Sequence, residues 1–249
     1  MLSLPLTSNP TRQRVTCQFE LWDFRGLWLT SKLSNRKMSN LSRKFVEAAF
    51  DAQRVWDLGN DVLYKLCVDN PWHTDNAVII AKTLIIGRVY AAALERRRAK
   101  RELKGDEFYV EVAKSFRNSD IDFWLRNLRC EPGNSRLEAI KIHKKLTDLL
   151  HGITDLQKRS FASKYLHFHF PKRFFIFDTK AEKRARQLTK PHRNRIKKES
   201  GSKEGVDKQY SDFCARCELI SEEIGNLIGE VPTPRQVDKV LLHLSLKNS

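Results

Sequence analysis

Residues 149–186 read LLHGITDLQKRSFASKYLHFHFPKRFFIFDTKAEKRAR, and the way this stretch divides decides the fold. Gly152 reads as a tight turn, residues 155–169 as a helix, and Pro171 as a break, because proline has no amide to continue a helical ladder. The apolar run Phe174, Phe175, Ile176, Phe177 follows, and Asp178 then opens a second, strongly basic helix. A carboxylate placed directly after an apolar run has two readings. It is a helix cap that accepts from the free amides of the first turn, or it is an acid or base held at the edge of a core, and periodicity favours neither. Within the first helix Ser160, Lys164 and His167 fall at i, i+4 and i+7 on one face, while Phe161, Ala162, Tyr165, Leu166 and Phe168 supply apolar faces.

Leu150-x-Gly152-Ile153, a helix bearing Ser160-Phe161-Ala162, and Phe174-x-Ile176-Phe177-Asp178 followed by Lys183-Arg184 together resemble the helix-hairpin-helix superfamily of base-excision DNA glycosylases. The likeness covers the central stretch well and the rest of the chain only as a helical pattern. It implies an all-α, two-lobed helical fold in which Gly152, Ile153 and Thr154 form a hairpin that grips the DNA backbone, with Lys158 and Arg159 adding charge beside it. Thr154 stands where the family hairpin has its second glycine, a departure that bears on the geometry of the contact. The aspartate that opens the next helix in that family is catalytic, which points to Asp178. Lyase-competent members carry a lysine nucleophile where Ser160 aligns, so the resemblance implies a monofunctional enzyme that releases the base with water and leaves an abasic site, with Lys164 open as a substitute nucleophile. The target base must leave the stack, and Tyr165, His167, His169, Arg88, Tyr90 and Trp56 are the candidates for its pocket. For Arg88 an ion pair at a helix edge explains the residue equally well, and lone histidines on helices are more often structural.

The composition is compatible with such a partner. Lys and Arg number 46 against 30 Asp and Glu, a formal charge of +16, and an excess of that size favours a polyanion whose phosphates shed counterions on binding. Residues 180–198 concentrate it: Lys180, Lys183, Arg184, Arg186, Lys190, Arg193, Arg195, Lys197 and Lys198 stand against the single acid Glu182. Alternating surface ion pairs do not explain so lopsided a run, which reads as a track for phosphates. At 41% hydrophobic residues the chain can fill a core and is not of the disordered class. Lacking a run of about eighteen apolar residues, it is expected not to enter a membrane, and its N-terminus does not read as a signal peptide. Five scattered cysteines suit a reducing cytoplasm better than a disulfide framework. Cys214 and Cys217 are half a metal site without further ligands nearby, so an ordinary helix pair is the expectation, and the ligands for the four-cysteine iron-sulfur cluster of some family members are missing. No metal or cofactor is expected, and a cytoplasmic monomer acting on double-stranded DNA with an extrahelical target base is.

Taken in order, residues 1–35 read as an irregular extension with a weak edge strand at 15–21 and with Trp22, Phe24 and Trp28 packing it onto the helical body of 36–249. A helix runs from about Ser39 to a stop at Asn70-Pro71, with Gly59 as a candidate break, and a second from Asp75 to about Leu94 is apolar on nearly every side. Further helices are expected near 106–116, 119–128 and 135–150, then after a mobile basic linker at 190–206 near 206–228 and 234–246, the last with Thr233 as N-cap and Pro234 in its first turn. Eight or more helices with almost no strand signal make the fold all-α, and no fixed-period repeat points to a solenoid. Since members of the resembled family include small forms that act on hypermodified bases, the resemblance, with the cluster missing and the hairpin altered, implies a specialised role: excision of a hypermodified base, such as glucosylated hydroxymethylcytosine in phage DNA, as antiviral defence. A non-catalytic DNA- or RNA-binding helical protein is the alternative, and a nuclease or toxin acting on RNA a weaker third.

Overall fold

A computed structural model describes residue 38 and residues 41–52, 54–96, 105–130, 136–201 and 204–246, all within one compact unit spanning 36–249. The described residues are helical without a strand: α1 (Arg43–Asp51), α2 (Arg54–Asp69), α3 (Asn76–Val89), α4 (Gly105–Arg117), α5 (Ile121–Cys130), α6 (Arg136–Thr154), α7 (Arg159–His169), α8 (Thr179–Leu188), a 3-10 turn at Lys190–His192, α9 (Arg193–Ser200), α10 (Lys208–Ile228) and α11 (Pro234–Leu246). The all-α expectation therefore stands. The expected strand at 15–21 and the packing of Trp22, Phe24 and Trp28 lie outside the described residues.

Short polar side chains set the helix starts, as free first-turn amides require. Ser42 accepts from the Phe45 amide at 3.2 Å, Asp75 from Ala77 at 2.8 Å and Asp207 from Tyr210 at 2.9 Å. Before α11 the pairing is reciprocal: Thr233 Oγ1 accepts from the Gln236 amide at 3.2 Å, and Gln236 Oε1 accepts from the Thr233 amide at 2.7 Å, a capping box with Pro234 just inside it.

Four boundaries differ from the sequence reading. The chain breaks at Ala52, between α1 and α2, and Gly59 lies inside α2, where a Cβ on this residue would meet no atom within 4 Å. α3 ends at Val89 rather than near Leu94: Ala91 is left-handed (φ 52°), the Ala92 amide donates to Gly87 O at 2.8 Å, and the Ala93 backbone lies 3.2 Å from where a side chain on residue 87 would begin, a tight approach that favours glycine at that return. The segment 190–206, expected as a basic linker, folds as the 3-10 turn and α9 as far as Ser200, because Ile196 is buried and Arg195 is tied to Glu199 at 2.6 Å and to Glu222 at 2.7 Å. Gly152 is the fourth. It sits in the last turn of α6, and the chain reverses instead at Asp155, which is left-handed (φ 56°). The helix continues past Gly152 because Ile153 packs on the core and buried Thr154 returns its hydroxyl to Leu150 O at 2.8 Å, so the following helix begins at Arg159 and not near 155.

Two apolar cores fill the unit. One gathers Leu63, Ile79, Ile86, Phe108, Val112, Phe116, Leu125, Leu146, Phe161, Tyr165 and Phe168 from α2 to α7; the other gathers Val46, Ala49, Ala181, Ala185, Ile196, Phe213, Ile220, Val237 and Val240 from α1 and α8 to α11. The run after Pro171 joins them, with Phe174 in the first core and Phe177 in the second. All residues from Phe161 to His169 are buried, so whatever polar groups α7 carries act away from bulk water.

Candidate active site

Ser163 fixes the centre of the site. Its hydroxyl accepts from the Phe177 amide at 3.0 Å, which clamps the segment preceding Asp178 against α7. Asp178 follows at once as the cap of α8, accepting from the Ala181 amide at 2.8 Å while remaining partly exposed. On α7, Lys164 is only 3% exposed; its ammonium donates to Ser160 Oγ at 2.9 Å and to Tyr90 O at 3.3 Å and lies 5.7 Å from the Tyr90 ring centre. Burial pushes the Lys164 amine below its ordinary range, while the carboxylates of Asp178 and Asp238 pull it back up. One turn on, His167 is fully buried between Tyr64 OH at 2.7 Å and Phe174 O at 2.8 Å. The carbonyl can only accept, so Nδ1 carries the proton and Nε2 accepts from Tyr64; burial holds this imidazole neutral, its pKa lowered to about 4.

A polar face of α11 closes the site. Arg235 binds Asp238 at 2.5 Å and reaches Asp57 at 3.6 Å, and Lys239 binds Asp57 at 2.5 Å and Phe50 O at 2.8 Å. Asp57, Asn60 and Tyr64 share one face of α2 by their i, i+3, i+7 spacing, so α2 and α11 meet through polar groups rather than through the cores. Burial raises the Asp238 carboxyl to about 6, against the pull of Arg235. Tyr90 OH donates to Asn60 Oδ1. Asp238 Oδ1 and Asn60 Nδ2 are sealed from solvent, and neither has a hydrogen-bond partner. Unmet buried acceptors and donors are expensive, and this seam holds two of them among its charges.

Of the residues expected to act together, Ser160, Lys164, Asp178 and Tyr90 do converge, whereas His167, on the same helix, instead meets Tyr64 and Phe174 O. Tyr165 and His169 do not join them. At about 100° per residue they fall on the opposite face of α7, where the Tyr165 hydroxyl meets His73 Nε2 at 2.6 Å and the His169 ring packs 5.0 Å from Tyr165. Arg88 is exposed and paired with Glu95, the edge ion pair that its sequence allowed, and Trp56 is 56% exposed on α2. Gly152, Ile153 and Thr154 end α6 and do not make a turn. The hairpin cations are engaged within the protein: Lys158 donates to Arg96 O at 2.6 Å, and Arg159 binds buried Asp207 at 2.6 Å. Lys180 and Lys183 are exposed on α8, with Lys190, Arg193, Lys197 and Lys198 beyond them, whereas Arg184 reaches Gln187 at 2.9 Å and Arg186 pairs with Glu182. Cys214 and Cys217 lie buried in α10, and among the described residues no group of three or more His, Cys, Asp or Glu is placed to hold a metal ion.

The chain matches no protein-family model, no curated protein and no solved structure. The site therefore rests on its own geometry. The residues that sequence reasoning missed are Asp57, Asn60, Tyr64, Arg235, Asp238 and Lys239. Their signal was present as polar residues at helical spacing inside otherwise apolar helices, but pairing α2 with α11, 182 residues apart at the Asp57–Lys239 bridge, is a tertiary fact. Among the described residues, no helix is long and apolar enough to cross a membrane.

Proposed function

We propose that the protein is a monofunctional DNA glycosylase that hydrolyses the N-glycosidic bond of a modified or damaged base and leaves an abasic site. The observation that carries this reading is the clamp of Ser163 on Phe177, which brings the Asp178 carboxylate within electrostatic reach of buried Lys164, itself bonded to Ser160. A carboxylate in that position stabilises the positive charge that develops on the sugar as the base departs, and it orients the attacking water. Buried Ile176 and Phe177 just before it limit water on one side, which strengthens its field there. The exposed lysines of α8 and α9 supply the phosphate contacts that a duplex needs, in place of hairpin cations already bound within the protein. The resemblance to helix-hairpin-helix glycosylases supports the same assignment through Ser160-Phe161-Ala162 and Asp178 and not through the hairpin, since Gly152 makes no turn, and the missing cluster cysteines favour a specialised substrate, a hypermodified base of the glucosylated hydroxymethylcytosine type in phage DNA, over a housekeeping lesion.

The test is free-base release, read by mass spectrometry, from modified phage DNA and plain bacterial DNA side by side. Release from the modified DNA is expected; inertness on both, with binding retained, would leave the alternative of a non-catalytic nucleic-acid-binding protein. One observation favours a second reading of the chemistry. The buried Lys164 amine, depressed by desolvation, is suited to attack the sugar carbon directly. Borohydride during turnover separates the two, since only the amine mechanism leaves a covalent protein–DNA adduct.

A further inference from the structure

The basic surface of residues 180–198 contains no Phe, Tyr or Trp. It can hold phosphates but offers an unpaired base only His192 and guanidinium planes to stack on. A second basic surface, on α5 and the turns beside it, is built differently. The guanidinium carbons of Arg126 and Arg129 lie 5.3 and 4.7 Å from the centre of the Trp72 ring, and that of Arg129 also lies 5.6 Å from the centre of Phe170. Both arginines are exposed, as is Lys172 just after Phe170. Resting against an indole, the two guanidiniums lose rotamer freedom before any ligand arrives, which makes an arginine pair a better phosphate clamp than flexible lysines. Phe123 stands one turn before Arg126 on the same face of α5 and is 62% exposed. Asp122, four residues before Arg126, keeps its charge while its oxygens accept from the His73 amide at 3.0 Å and from its ring at 2.5 Å, so it offsets part of the positive charge, and Arg126, Arg129 and Lys172 still outnumber it.

A single exposed phenyl ring is ordinary in a soluble protein. Its meaning here comes from the charges around it. An aromatic ring beside paired cations is the arrangement that takes single strands, because an unpaired base offers a face to stack while its phosphates seek the arginines; a duplex keeps its bases stacked within. We propose that this surface binds single-stranded nucleic acid, with phosphates on Arg126 and Arg129 and a base on Phe123. The protein then holds two nucleic-acid surfaces of different kinds, and the α5 surface stands whether or not the chain excises bases.

Fluorescence anisotropy with a labelled oligothymidylate and a labelled duplex tests it. Phe123→Ala is expected to weaken oligothymidylate binding about tenfold, within the range for loss of one stacked base, and to leave duplex binding unchanged; Phe123→Trp is expected to retain it. Arg126→Glu should weaken the single strand and flatten its salt dependence, whereas the Lys180→Glu/Lys183→Glu pair should weaken the duplex and spare the single strand. Phe123 is exposed, so its replacement leaves the fold intact, which circular dichroism checks. Unchanged oligothymidylate affinity in Phe123→Ala, or no oligothymidylate binding by the wild-type protein, overturns the proposal. Displacement of the oligothymidylate by polyglutamate at equal charge concentration would also overturn it, in favour of an acidic protein partner. Base release plays no part in these readings, so their failure and that of the glycosylase assignment remain distinct.

Discussion

The two polar faces of α7 are close in sequence and opposite in character. On one, Tyr165 ends a chain in which Asp122 accepts from His73 Nδ1 at 2.5 Å and His73 Nε2 meets the Tyr165 hydroxyl at 2.6 Å. This carboxylate, imidazole and hydroxyl have the residue types of a catalytic relay, yet their hydrogen bonds are spent on one another inside the first core. On the other face, Lys164, Asp178, Asp238 and Arg235 bring opposite charges together from α7, α8 and α11, and the seam keeps an acceptor and a donor unmet at Asp238 and Asn60. Residue type did not separate these networks. Completeness does not separate them either, since both ring nitrogens of His169 beside Tyr165 are sealed without a partner; what differs is that carboxylates and cations from three helices meet on the Lys164 face.

The largest effect that tests this contrast is on turnover. Asp178→Asn should lower base release on an active DNA by about 10² to 10³, the scale for removing one charge-stabilising group, while the Asn side chain still caps α8 and DNA affinity holds. Retained release would move the chemistry off this face. Next is the pH response of His167. Its pKa falls from an ordinary 6.5 to about 4 on burial, so the folded state resists protonation; the stability it confers is complete above the unfolded pKa and is lost as pH falls from about 6.5 toward 4. The stability advantage of wild type over His167→Gln, measured by urea unfolding, should therefore shrink by about 3 kcal/mol across that window. Using the difference between proteins matters, because Asp238 and Glu218, raised to about 6 and about 7, respond in the opposite sense.

On the Tyr165 face, Tyr165→Phe removes the hydroxyl that meets His73 and should destabilise by about 1 to 3 kcal/mol without altering base release; a lost activity at preserved fold would erase the distinction between the faces. The smallest effect concerns the helix that leads into both. Gly152 has helical neighbours and nothing within 4 Å of a Cβ position, so Gly152→Ala should stabilise by about 0.5 to 1 kcal/mol and leave duplex affinity unchanged, whereas a turn at this residue would make alanine harmful.

Much of this was legible beforehand. The helical class follows from local spacing, and α11 starts where Thr233, Pro234 and Gln236 say it should, because capping is an exchange between neighbours in the chain. Ser160, Lys164 and His167 share a face by helical arithmetic alone, and Asp178 proved to be a cap, as one of its two readings had it. The turn was misplaced because glycine permits a reversal without requiring one: whether Gly152 bends or continues was settled by Ile153 and Thr154 finding burial in the first core. Likewise α9 has too many cations to look like a helix, and it exists through buried Ile196 and the carboxylates of Glu199 and Glu222. What the sequence determined by itself was everything governed by contacts a few residues apart. Only the tertiary structure decided that α11 meets α2 and α7 through charged groups, that Lys158 and Arg159 are bound within the protein, and that Lys164 and Tyr165 belong to different polar networks, since each depends on which distant partner burial brings within hydrogen-bond reach.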